Sequence, residues 1–301
     1  MKSPLDDLLS GHRLDSVDAV LQALREIIQQ ITLLGLWRGK FFEHAAFYGG
    51  TAMRIIHGLP RYSEDMDFSL LLPDLNFKLK PYIPYLKEEL QAFGLDVSIE
   101  QKTGSADTAI ESAFVKMNTR TGFLKLGVPP TLVERLSREQ ILKVKFEIDI
   151  DPPKNFLTET KFLYTPQAFS VRLFDLPSMF AGKLHAAIAR AWKTRVKGRD
   201  WFDVVWFVGK DVSASLAHFK ARLIQTGQLD GQASFTEKEA RELLSRRIEA
   251  LDIEAAKRDV RPFLTLKDAD QLNIWSRVFF LDLAARVKFG DEEQKEMSRK
   301  P

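Results

Sequence analysis

Two aspartates one residue apart, Asp65-Met66-Asp67, offer the clearest chemistry in the chain. Side chains alternate along a strand, so if residues 65–71 are extended, both carboxylates point to one face. Two carboxylates side by side repel, and burying them unpaired is costly. A divalent cation removes that repulsion, and hard oxygen ligands suit Mg²⁺ or Mn²⁺. Upstream stands Gly49-Gly50-Thr51, a turn that would open a helix over 52–57. Backbone N–H groups at such a turn and helix start bind phosphate. A phosphate cradle followed by a metal-binding carboxylate pair is a layout for phosphoryl or nucleotidyl transfer. A lone Asp-x-Asp is more often a solvated strand end. Here the glycine turn, the helix after it and the apolar Met66 and Phe68 set the pair apart.

Two further stretches carry candidate groups. Residues 141–150, ILKVKFEIDI, alternate: Val144, Phe146, Ile148 and Ile150 form one face, Lys143, Lys145, Glu147 and Asp149 the other. Either Glu147 or Asp149 could point at the metal site. The competing reading is an edge strand with a solvated charged face. Between 176 and 208, Leu184, Ile188 and Trp192 recur every four residues, while Lys183, Arg190, Lys193 and Lys197 fall near another face. Basic helix faces are most often simply solvated. Asp200 and Asp203 share a helix face at i, i+3, with salt bridges to Arg195 or Arg199 as the structural alternative. Gly198 is expected to loosen the helix between these blocks. The five histidines show no ligand spacing, and Ser63 reads as a loop hydrogen-bonder rather than a nucleophile.

The elements that must position these groups follow from periodicity. Asp15-Ser16 offers a cap, and Val17, Leu21, Leu24, Ile28, Ile31 and Leu34 then give a long amphipathic helix over 17–36. Strands are expected at 45–48 and 65–71, a helix at 81–93 ended by Gly94, and strands at 96–101, 113–118, 141–150 and 169–174. The segment 124–137, with Pro129-Pro130, is ambiguous. A helix opens at Leu176-Pro177-Ser178. From Val212 the chain reads as all helix, at 213–226, 236–256 and 268–288, and the charged tail from Asp291 as frayed. These elements divide the chain into an α/β domain over 1–175 and a helical domain over 176–301.

Composition narrows the classes. The 301 residues suffice for one large or two ordinary domains. Forty-four basic against 41 acidic side chains give a net charge of +3, which permits a nucleic-acid partner without requiring one. The absence of cysteine excludes disulfides and thiolate metal sites. No apolar run approaches transmembrane length, and the acidic N-terminus lacks an apolar signal segment, so the expectation is a soluble cytoplasmic protein.

GGTAM at 49–53, the loop 58–61 and RYSEDMDF at 61–68 together resemble the AbiEii-type abortive-infection nucleotidyltransferase toxins, where GGT-A-L precedes R-x-S-x-D-x-D-F. Phe180, Ala181, Lys183 and Leu184, then Lys197, Arg199, Asp200 and Asp203, are similar to later blocks of that family, with Gly198 as a departure. The resemblance covers roughly 45–208. It implies an α+β fold: a nucleotidyltransferase-like mixed sheet with flanking helices, followed by a helical C-terminal domain. It also implies transfer of a nucleoside monophosphate from an NTP to an acceptor, RNA such as tRNA. Asp65 and Asp67 would hold Mg²⁺ or Mn²⁺, with Glu147 or Asp149 as third carboxylate. The family's lysine-hydrophobic-Glu-hydrophobic pattern selects Glu147, other nucleotidyltransferases favour Asp, and both stay open. Gly49, Gly50 and Thr51, with Ser63, would cradle the triphosphate. Lys183 would offset its charge, and Asp200 and Asp203 would complete the catalytic set. The family adds a toxin role beside a winged-helix antitoxin. A metal-dependent phosphodiesterase or nuclease, and a non-catalytic RNA-binding module, are the competing classes.

Overall fold

The computed structural model describes residues 5–9, 11–102, 109–189 and 196–290. Its described residues fall into two compact units. The first takes in those between 5 and 58, 62 and 152, and 159 and 173, the second those between 59 and 61, 153 and 158, and 174 and 290. No helix among the described residues is long and apolar enough to cross a membrane.

The first unit opens with α1 (Asp6–Leu9) and α2 (Val17–Arg38). Ser16 caps α2, its hydroxyl accepting the Ala19 N–H at 3.2 Å. Val20, Leu24, Ile27, Ile28 and Ile31 form its buried stripe. β1 (Ala45–Tyr48) runs straight into α3 (Gly49–His57), which Gly58 ends in the left-handed region. β2 (Asp65–Leu70), α4 (Ile83–Ala92), β3 (Ser98–Lys102) and β4 (Ile110–Asn118) follow. Then come α5 (Thr119–Lys125), α6 (Pro130–Val133), β5 (Ile141–Asp149), β6 (Thr158–Leu163) and β7 (Phe169–Phe174).

Seven strands form one mixed sheet in the order β3-β4-β5-β2-β1-β7-β6. β2 lies at its centre, antiparallel to β1 and parallel to β5. The register pairs Phe47 with Phe68 and Met66 with Phe146. Phe68 therefore stacks between Phe47 at 5.0 Å and Phe146 at 4.5 Å, and Phe41 meets it edge-on at 5.2 Å. This aromatic face is the core. Because side chains alternate, burying it commits Asp65, Asp67, Lys145, Glu147 and Asp149 to the opposite face.

The second unit contains α7 (Leu176–Ala189), α8 (Gly198–Gly209), α9 (Leu216–Gln225), α10 (Glu237–Glu249) and α11 (Ile253–Val260). α12 (Leu266–Ala269) and α13 (Arg277–Arg286) complete its helices. Phe180 stacks on Phe207 at 4.6 Å, and Trp201 meets Phe280 at 5.4 Å.

Several expectations are corrected. The C-terminal part is not all helix: β8 (Ser213–Ser215) and β9 (Lys288–Gly290) pair in parallel. The expected helix over 236–256 breaks because Asp252 accepts the Ala255 N–H at 2.9 Å and starts a new one. The expected helix over 268–288 gives way to a 3₁₀ turn at Asp270–Ile274, then restarts at the Ser276 cap. The polar edge strand β6 has no alternation to reveal it. Gly198 does not loosen a helix. It begins α8, and a Cβ there would overlap the Ala256 carbonyl oxygen of α11. Arg190, Trp192, Lys193, Arg195 and the tail from Asp291 lie outside the described residues.

Candidate active site

The site in the first unit starts from one turn. Tyr48 is still extended, and Gly49 then takes φ +80°, in the left-handed region. A Cβ on Gly49 would overlap the Asp67 carboxylate, so only glycine fits on both counts. The β1–β2 register pairs Tyr48 with Asp67, which brings the start of α3 against that carboxylate. The first N–H groups of a helix have no intrahelical partner. Tyr48 provides no side-chain cap for them. Thr51 is fully buried, and its hydroxyl donates to the Asp65 carbonyl. What Thr51 can offer a ligand is therefore its backbone N–H, while its side chain ties α3 to β2.

Strand register arranges the acids. Asp65 pairs with Lys145, Asp67 with Glu147 and Ser69 with Asp149. Adjacent strands lie about 4.8 Å apart, so Glu147 is the β5 acid that stands beside Asp67 on their shared face. Asp149 stands one side-chain repeat further along, beside Ser69. The Lys145 ammonium pairs with Glu147 at 2.6 Å. Asp149 Oδ1 accepts the Asp151 N–H at 3.1 Å. Among the described residues no three acidic or imidazole side chains gather into a ready-made metal cage. Mg²⁺ seldom uses one: it is held by one or two carboxylates together with waters and substrate phosphates. Asp65, Asp67 and Glu147 supply hard oxygens on one face, and the chain fits a hard divalent cation in that open sense.

Helix α2 holds the loop that leads into β2. Gln29 Nε2 donates to the carbonyls of Ser63 at 3.0 Å and Glu64 at 3.2 Å. One turn earlier on the same helix, Arg25 pairs with the Glu64 carboxylate at 3.7 Å. Burial lowers the Arg25 pKa, and the charges of Glu64 and Asp65 pull it back up. Neither Arg25 nor Gln29 stands out in the sequence, where both read as helix positions.

Lys183, Asp200 and Asp203 meet in the second unit, around Arg61 of the RYSED motif. Arg61 Nε and Nη2 each donate to Asp203 at 2.6 Å, a bidentate pair with both side chains buried. Lys183 Nζ lies 2.8 Å from Asp203 and 3.4 Å from Asp200. Burial pushes the Asp203 pKa up, but the charges and hydrogen bonds of Arg61 and Lys183 outweigh it and hold the carboxyl below its ordinary value. Lys183 is thus no solvated face residue: its side chain is 14% exposed. Asp203 finds its partners in Arg61 and Lys183. Arg199 pairs with Asp259 at 3.9 Å and lies over the Phe263 ring at 4.2 Å.

A family model described as nucleotidyl transferase AbiEii toxin, type IV toxin–antitoxin system, matches residues 31–273. Among solved structures, the chain is similar to a Helicobacter pylori protein crystallised as a candidate nucleotidyltransferase. The two are 16% identical over 92% of this chain and 97% of that one, with a TM-score of 0.49. JHP933 from Helicobacter pylori is also 16% identical, over 91% of this chain and 93% of its own, with a TM-score of 0.48. No curated protein matches. With the family model spanning most of its length, this chain belongs to the AbiEii nucleotidyl transferase toxin family.

Proposed function

We propose that this toxin is a metal-dependent nucleotidyltransferase that moves a nucleoside monophosphate from an NTP to a hydroxyl on RNA, with tRNA as the leading acceptor. Family membership implies a nucleotide substrate and an antitoxin partner. The proposal names that antitoxin as a winged-helix protein. The observation that carries the reading is the Asp67 carboxylate pressed against Gly49 where α3 begins. A phosphate-binding helix start and a paired carboxylate then serve one nucleotide.

Asp65 and Asp67 would hold the divalent cation that carries the triphosphate. The backbone N–H groups of Gly50 and Thr51 donate to its phosphate oxygens. Glu147, beside Asp67, orients the acceptor hydroxyl and takes its proton. The hydroxyl oxygen forms the new bond to the α-phosphorus, the bond to the β-phosphate oxygen breaks, and pyrophosphate leaves. A bound Mg²⁺ or Mn²⁺ supplies Lewis-acid stabilisation of the charge that builds on the phosphoryl oxygens. In the second unit Asp200 and Asp203 hold the ammonium of Lys183, the lysine that the family resemblance assigns to offsetting phosphate charge.

The test is incubation of the purified protein with each α-labelled NTP, Mg²⁺ or Mn²⁺, and total RNA. Label appearing on RNA, with one NTP preferred, is the expected result. Release of nucleotides from RNA without NTP consumption would replace the reading with a nuclease. Binding of RNA with neither outcome would replace it with a binding module.

A further inference from the structure

We propose that Gln29 and Thr51 are positioning residues that fix the start of β2 and, through it, the Asp65 and Asp67 carboxylates. The inference rests on the metal site proposed above. Three consecutive carbonyls, those of Ser63, Glu64 and Asp65, are each held by a side chain from a helix. Gln29 Nε2 on α2 donates to the first two, at 3.0 and 3.2 Å. The Thr51 hydroxyl on α3 donates to the third.

Both donors are committed to this task by burial. Gln29 is 1% exposed and Thr51 0%. A buried amide or hydroxyl without a partner carries a desolvation cost, so these side chains have a strong reason to keep these bonds. Of the residues they grip, Ser63 and Glu64 precede β2 and have no regular structure of their own, and Asp65 is the first residue of the strand. Holding the carbonyls of Ser63, Glu64 and Asp65 fixes the peptide planes on both sides of Glu64 and Asp65. The peptide planes set the direction of the Asp65 Cβ, and strand alternation carries it to Asp67. Arg25 adds a grip on the Glu64 side chain from the same face of α2. Carboxylates that share a cation must be held within about 0.5 Å of the productive geometry, which an ungripped loop does not provide.

The test is Mn²⁺ binding to the full-length protein, read from the free-ion electron paramagnetic resonance signal. Gln29→Leu, Thr51→Val and Thr51→Ser are compared with wild type, with Asp67→Asn as the ligand reference. Leu24→Ala, a fully buried position on α2, is the stability reference. Gln29→Leu and Thr51→Val are expected to weaken Mn²⁺ binding about tenfold or more, the usual cost of losing outer support around a ligand. Thr51→Ser keeps the hydroxyl and stays close to wild type. Leu24→Ala lowers the melting temperature but leaves Mn²⁺ affinity alone. If wild type and Asp67→Asn bind Mn²⁺ equally, the metal site itself falls and this inference goes with it. If Asp67→Asn loses Mn²⁺ while Gln29→Leu and Thr51→Val keep it, or lose no more than Leu24→Ala does, the positioning role is overturned. Should Gln29→Leu not fold, Thr51→Val against Thr51→Ser decides, and equal affinity overturns the proposal.

Discussion

At Gly49 two demands coincide: a φ of +80° and contact with the Asp67 carboxylate. Gly58 shares the first demand, at φ +71°, but a Cβ there meets open space. Comparing the two separates strain from site geometry. Gly58→Ala should lose about 1–2 kcal/mol of stability, the cost of the left-handed region for a residue with a Cβ, and keep its transfer activity. Gly49→Ala should also displace Asp67 and cut label transfer by on the order of 100-fold, as ångström-scale misplacement does. Equal activity in the two variants would show that the Gly49–Asp67 contact does not matter to the chemistry. The neighbouring strand gives a second contrast. Glu147 pairs with Asp67 and Asp149 with Ser69. Glu147→Gln should therefore abolish transfer while Asp149→Asn lowers it only mildly, measured as initial rates under saturating NTP. The reverse ranking would give the third carboxylate to Asp149. Full activity in both would remove β5 from the site.

Among the elements, alternation made the central strands and their charged face legible, because an aromatic core face leaves the acids no other side. Register was not legible. ILKVKFEIDI states that Glu147 and Asp149 share a face, but not which of them lies beside Asp67, since that depends on pairing with β2. The short β8 and β9 and the polar β6 escaped notice because a strand without an apolar face has no pattern to find. Arg61 and Asp203 lie 142 positions apart, so nothing local ties them together. Their pairing yields its own prediction. Removing one partner of a buried ion pair costs up to about 3–5 kcal/mol, the upper end applying where no counter-charge remains, and here Lys183 stays beside Asp203. Arg61→Met should destabilise the fold by up to that order in chemical denaturation, and Arg61→Met with Asp203→Leu should recover part of the loss. The sign with pH follows from the depressed Asp203 value. Its stabilisation is complete above the ordinary carboxylate pKa of 3.8 and is lost only as pH falls below it. Asp203→Asn should flatten acid unfolding in that range, and an unchanged acid transition would contradict the pairing.

For the whole molecule, three histidines add to the loss of stability in acid. Burial lowers the pKa of His12 and His57 in the first unit and takes His218 in the second to about 3. His218 sits edge-on to Phe156 and Phe174 and bonds the Lys154 carbonyl at 2.8 Å. A folded value below the ordinary 6.5 means the unfolded chain takes up the proton first. Stability from these groups is complete above that pH and declines as pH falls. Each histidine contributes up to about 1.4 kcal/mol per pH unit. His218→Asn should make the decline between about pH 6.5 and 5 shallower by that amount in denaturant titrations. An unchanged slope would mean that His218 is accessible to protons in the fold. The Asp65–Asp67 pair is proposed as the catalytic carboxylates of a nucleotidyltransferase. The most direct measurement is label transfer from α-labelled NTP to RNA by wild type and by Asp67→Asn, alongside circular dichroism to show both are folded. A loss on the order of 100-fold or more is expected in the variant. Transfer by folded Asp67→Asn at a rate near wild type would remove Asp67 from the catalytic site.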